Sequence, residues 1–143
     1  MRSPLIRRLR LALLAALTTP AIAADAIRIL VQRSPLAGSQ YYTAPQRWRE
    51  LQAGDRLELV READNRHDRN AVRIDWRAQT LGYVPRAENR SVARALDAGE
   101  RLVARIAALR EDPDPWRRIE FEIFVVLGND PALKGSKPGE MLD

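Results

Sequence analysis

Residues 54–105 switch between two hydrophobic repeats, and this stretch restricts the fold more than any other in the chain. Residues 56–61 place Leu57 and Leu59 on one face and Arg56, Glu58 and Val60 on the other, while residues 71–76 turn Val72, Ile74 and Trp76 to one side. Period-two alternation of this kind specifies half-buried strands. Between them runs the Asp/Asn-rich turn ADNRHDRN, and after a second polar turn residues 80–84 form another short strand, so a hairpin is the natural connection. The period then changes. Pro85 suits the first turn of a helix, residues 86–97 have helix-compatible composition, Val92 and Leu96 fall four apart on the buried face, and Gly99 supplies the stop. Arg86, Arg90 and Arg94 recur every four residues and so form one ridge on that helix.

The flanks extend the same pattern. Ile27, Ile29 and Val31 alternate within a first strand over residues 26–32, and Pro45 with Trp48 and Leu51 permits a short helical turn. Leu102, Ala104, Ile106 and Ala108 alternate in a long strand; Ile119, Phe121, Ile123 and Val125 alternate in a last one. Five or six short strands with one clear helix predict a mainly β, β-rich α+β domain shaped as a small, partly open barrel. An α+β sandwich is the competing architecture.

The first residues carry a different signal. MRSPLIRRLR is followed by the apolar run LALLAALTTP and by Ala21-Ile22-Ala23, the arrangement of a signal peptide cleaved after Ala23. The run is too short for a bilayer core of about 30 Å, so removal of the leader leaves no stable membrane anchor. The expected organisation is therefore a signal peptide over 1–23, a barrel over 24–127 and a flexible tail over 128–143, in a protein exported to the periplasm or secreted. Four arginines, Arg2, Arg7, Arg8 and Arg10, leave with the leader, which reduces 24 Lys+Arg against 19 Asp+Glu to 20 against 19. A nearly neutral domain binds polyanions only through local clustering of charge. Eighteen of those 20 cations are arginine, the side chain better suited to forked phosphate contacts. The absence of cysteine excludes disulfides and thiolate metal sites, so the domain must fold on packing alone.

Few residues are placed for catalysis. The turn holds Asp64, Asp68 and Asn70, but Arg66 stands where a calcium loop needs a ligand, and no closing glutamate follows. Asp and Asn at such positions commonly bond their own backbone. His67 is the only histidine, too few for the usual zinc sites, and Ser34, Ser39, Ser91 and Ser136 lie in no recognisable nucleophile elbow. With no phosphate-cradling glycine loop either, the chain is expected to be non-catalytic, without metal or cofactor. Tyr41, Tyr42 and Tyr83 offer faces that can stack on bases at about 1–3 kcal/mol per base. Each could instead be a core ring with its hydroxyl at the surface. The Arg86, Arg90 and Arg94 ridge could track phosphates or simply form a solvated face.

LVREADNRHDRNAVRI, LGYVPRAENRSVARALDAG and the upstream SQYYTA together resemble the HIRAN domain family over residues 27–126. The resemblance implies an OB-like barrel and, by analogy with members in eukaryotic DNA-remodelling proteins, capture of the 3' end of single-stranded DNA. It further implies that Tyr41 and Tyr42 clamp the terminal base, Asp68 accepts the terminal hydroxyl, Tyr83 occupies the strand end and Arg86 contacts phosphate. Arg90 and Arg94 would add backbone contacts. Gln40 departs from the pattern, since a basic residue often precedes the tyrosines in the DNA-end binders. The helicase-type ATPase and RING zinc modules of larger members have no counterpart here. The expected function is a non-catalytic module for single-stranded DNA or another nucleic acid; the alternative is an exported envelope module that recruits a protein or polar ligand through the same cleft.

Overall fold

The computed structural model describes residues 26–128, so the expected leader and residues 129–143 of the expected tail lie outside the described part. Six strands form one antiparallel sheet: β1 (Ile27–Pro35), β2 (Arg56–Arg61), β3 (Val72–Trp76), β4 (Gln79–Tyr83), β5 (Leu102–Leu109) and β6 (Ile119–Leu127). Their order is β1-β6-β5-β2-β3-β4, which leaves β1 and β4 as the two edges. A single bridge joins those edges. Ala37, two residues beyond β1, exchanges backbone hydrogen bonds of 3.0 Å in each direction with Tyr83 at the end of β4. Curling the sheet until its edges meet produces a partly open barrel and blunts exposed edges.

The closure depends on a glycine. A Cβ on Gly82 would lie 2.5 Å from the Ala37 carbonyl oxygen and 2.9 Å from Leu36 Cγ. No side chain fits at this approach.

Alternation fills the barrel as expected. Val72, Ile74 and Trp76 of β3 are buried together with Leu57, Leu81, Ile106, Phe121 and Ile123. The Trp76 indole N–H is satisfied by Asp55 Oδ2 at 2.9 Å, and the Arg77 guanidinium lies 4.3 Å from the ring centroid, outside it. That stack accompanies an unusual turn: Arg77 and Ala78, the two residues between β3 and β4, both have positive φ, at 48° and 60°. Such a hairpin turn matches strand twist but favours Asn-Gly.

β1 differs from the period-two expectation. Ile27, Ile29, Leu30 and Val31 are all exposed, because Val31 drops out of register with β6 and the strand begins beyond the edge of the core. The strand runs on to Pro35, and its inward contribution comes from its C-terminal end, where Ser34 and then Leu36 are buried.

Before the barrel's second strand, the chain makes a 3-10 turn at Ser39–Tyr41, a one-turn helix α1 (Ala44–Arg47) and another 3-10 turn at Trp48–Glu50, the helical turn expected around Pro45. The main helix, α2, spans Asn89–Asp97 and packs against β2 and β3. It starts three residues later than the pattern predicts. Pro85 accepts from the Glu88 N–H at 2.8 Å to form a turn, and the Glu88 carboxylate is drawn toward β1 by the Ser34 hydroxyl and by Gln32 Nε2. Gly99, at φ +75°, ends the helix with its N–H on Leu96 while the Glu100 N–H reaches Ala95, a left-handed C-terminal cap.

Candidate nucleic-acid interface

The bridge that closes the barrel also positions the aromatic residues. Gly38, left-handed at φ +73°, turns the chain after Ala37, and a Cβ there would meet the rings of Tyr42 and Tyr41 at 3.5 and 3.9 Å. Tyr42 is 37% exposed and meets Tyr83, with ring centroids 5.8 Å apart and planes tilted by 51°. Tyr41 is 79% exposed, so most of its ring is open to solvent. Of the two neighbouring tyrosines, Tyr42 is the one that shares a surface with Tyr83.

Tyr83 donates to Glu62 Oε2 at 3.2 Å, and Glu62 also accepts from Asn65 Nδ2 at 2.9 Å and Arg73 Nη1 at 2.7 Å. Burial pushes the Tyr83 phenol up to about 12, reinforced by the Glu62 carboxylate and by Tyr42. It therefore stays a neutral donor at physiological pH. Burial acts to raise the Glu62 carboxyl, but the donors Asn65, Arg73 and Tyr83 outweigh it and hold the group below its ordinary value. The Arg73 guanidinium is raised further, chiefly through its bonds to Asp75.

Asn65 folds the Asp/Asn turn. Its Oδ1 accepts from the N–H groups of His67 and Asp68 at 2.9 and 3.2 Å, and Asp68 Oδ1 accepts from Asn70 N–H at 2.9 Å. The backbone-capping role expected of these residue types is thus carried by Asn65 and Asp68. The other Asp68 oxygen accepts from Asn89 Nδ2 at 2.6 Å, and Asn89, at the start of α2, is 2% exposed. One donor on each oxygen leaves Asp68 with spare acceptor capacity.

Asp68 and Arg86 line one surface depression together with Arg66, His67, Arg69 and Arg90. Arg94 continues the surface one helical turn beyond Arg90. The expected helical ridge is therefore corrected: Arg90 and Arg94 stand on α2, whereas Arg86 stands on the turn before it and reaches the same surface from there. Elsewhere many of the domain's arginines are paired: Arg33 with Glu120, Arg61 with Asp97, Arg73 with Asp75, Arg105 with Glu122 and Arg110 with Glu120. Among the described residues, Arg66, Arg69, Arg86, Arg90 and Arg94 form no side-chain hydrogen bond or ion pair. Arg66, Arg69 and Asn89 were not singled out as site residues from the sequence. A usable signal existed for the first two, because the turn ADNRHDRN holds as many arginines as aspartates.

An antiparallel barrel closed at one bridge, with its aromatic and polar side chains gathered beside that seam, is an OB-like architecture. Residues 29–128 match the HIRAN domain, and the chain belongs to that family. A crystal structure of a protein from Lactobacillus plantarum is similar at TM-score 0.60 and 24% identity, covering 71% of this chain and 98% of that one. The HIRAN domain of human HLTF is similar at TM-score 0.52 and 13% identity, covering 71% and 77% respectively. At these identities the two structures speak for the fold alone. A mouse protein named Arf-GAP with Rho-GAP domain, ANK repeat and PH domain-containing protein 3 is 37% identical over 70 residues, 48% of this chain. The chain covers only 4% of that protein's length.

Proposed function

We propose that this domain is a non-catalytic nucleic-acid-binding module that takes the 3' end of a single strand. Family membership supports the general reading. The observation that carries it for this chain is the gathering of five uncompensated arginines, Arg66, Arg69, Arg86, Arg90 and Arg94, around the Asp68 turn of a nearly neutral domain. Arginines left without carboxylates are free to contact phosphates, and each phosphate neutralised on a single strand contributes about 0.7 to the salt slope of binding. Tyr42 and Tyr83 provide the neighbouring ring pair, and the open face of Tyr41 can take a further base. Asp68 has acceptor capacity left for a terminal hydroxyl, and as a carboxylate it repels a terminal phosphate at contact distance.

Fluorescence anisotropy tests this with short oligothymidylates ending in 3' hydroxyl or 3' phosphate, at low and moderate salt. The hydroxyl end is expected to bind more tightly, Arg86→Ala and Arg90→Ala to flatten the salt dependence, and Asp68→Asn to abolish the preference between ends. Equal affinity for both ends, or no binding by the wild-type protein, refutes end capture.

A further inference from the structure

Glu62 stands one residue beyond β2 and receives donors from three directions: Arg73 Nη1 at 2.7 Å, Asn65 Nδ2 at 2.9 Å and the Tyr83 hydroxyl at 3.2 Å. Through Tyr83 it reaches the Tyr42 ring; through Asn65 it reaches the backbone N–H groups of His67 and Asp68. We propose that Glu62 is a positioning residue that couples the Tyr42–Tyr83 ring pair to the Asp68 turn, so that one carboxylate sets both halves of the nucleic-acid site. The role rests on the end-capture reading above.

Three features favour it. The carboxylate is partly buried and most of its acceptor capacity is already used by protein donors, so it acts through them rather than on a ligand. Arg73 neutralises it from behind and is itself locked by two bonds to Asp75, at 2.9 and 3.1 Å. That compensation matters because an unpaired carboxylate here would repel the phosphates the arginines attract. The two halves also come from distant parts of the chain, Tyr83 lying 21 residues from Glu62, and Glu62 is the side chain hydrogen-bonded to both Tyr83 and Asn65. Networks of this kind transmit displacement from one member to the others.

Glu62→Gln tests the coupling. Its amide offers one acceptor oxygen and turns an NH2 group toward a donor, so it cannot hold all three partners. Tyrosinate absorbance should show Tyr83 titrating lower than in the wild-type protein, because the Glu62 charge that helps burial raise the phenol is gone. Amide exchange at His67 and Asp68 should accelerate, and affinity for a 3'-hydroxyl oligothymidylate should fall about tenfold, a larger loss than Tyr83→Phe or Asn65→Ala gives alone. Should Glu62→Gln fail to fold, the double variant Tyr83→Phe with Asn65→Ala must show the same faster exchange and about the same loss. Wild-type affinity in Glu62→Gln, or an unmoved Tyr83 titration with unmoved exchange, overturns the proposal. Absence of binding by the wild-type protein sinks the end-capture reading instead, and titration and exchange then decide the coupling by themselves.

Discussion

Gly82→Ala is the sharpest perturbation the fold offers, because it strikes the seam that both closes the barrel and carries the rings. Gly82 has no positive φ, so the cost is steric and not conformational. Its new Cβ would meet the Ala37 carbonyl at 2.5 Å, and that oxygen is the acceptor of the Tyr83 N–H bond. A backbone atom cannot rotate away as a side-chain tip can, so the strand ends must separate. Overpacking of this kind costs about 1–3 kcal/mol, and loss of the two reciprocal bridge bonds adds about 0.5–1.5 kcal/mol each. The total, about 2–6 kcal/mol, is a large part of the roughly 5–15 kcal/mol that holds an ordinary domain. Thermal unfolding followed by tryptophan fluorescence should show a Tm lower by something on the order of 10–30 °C. Gly54→Ala is the control: Gly54 has φ +92° with nothing within 4 Å, so alanine there costs about 1–2 kcal/mol of backbone strain and leaves the seam untouched. Gly82→Ala within 0.5 kcal/mol of wild type (about the scatter of a neutral surface change) would refute the argument that this close approach closes the barrel.

The β3–β4 turn should be improvable: Ala78→Gly relieves a left-handed alanine at φ 60° and should raise the urea midpoint by about 1 kcal/mol equivalent, whereas a fall would mean that the turn is not strained as its geometry requires. Acid should weaken the domain through Glu62 and Glu120. Glu120 is held low by Arg110, against burial, with help from Arg33, and Glu62 is held low as described above. A folded pKa below the ordinary 4.5 contributes stability that is present above that value and is lost as pH falls through the folded pKa. Urea midpoints should therefore drop between about pH 5 and pH 3, and Glu120→Gln should flatten that drop; an unchanged slope counts against the Arg110–Glu120–Arg33 cluster. On the exported reading, N-terminal sequencing of the protein recovered from the cell envelope or medium should begin at Ala24, and an intact Met1 on all recovered protein rejects cleavage after Ala23.

Much of the fold was legible because its core obeys period two where both neighbours of a strand are present. β3 is the clearest case: it sits between β2 and β4, and Val72, Ile74 and Trp76 all point inward as their spacing requires. β1 shows where the rule fails. It pairs with β6 alone along most of its length and carries a bulge at Val31, so apolar residues at the right spacing remain exposed. The helix start was misplaced for a similar reason. Pro85 is equally at home in a turn, and the choice was made by Glu88, whose partners Ser34 and Gln32 lie more than fifty residues away.

The site was harder to see than the fold, because its defining property is the absence of partners. In sequence, Arg61 and Arg66 are alike: both sit near acidic residues, and nothing local separates them. In the folded domain Arg61 is held by Asp97, 36 residues on, and Arg33 by Glu120, 87 residues on, while Arg66, Arg69 and Arg86 meet no carboxylate. Pairing is decided by sheet order: β1, β6 and β5 lie side by side, so Arg33, Arg105 and Arg110 are spent on Glu120 and Glu122 of the strand between them. The near balance of 20 Lys+Arg against 19 Asp+Glu beyond residue 23 thus conceals an uneven distribution, with cations neutralised across the sheet and exposed around the Asp68 turn. Composition alone gives no argument for a polyanion partner and leaves the matter to local clustering. The topology supplies that clustering, since a domain that satisfies most of its arginines internally and leaves five on one surface can hold a phosphate chain without being basic overall.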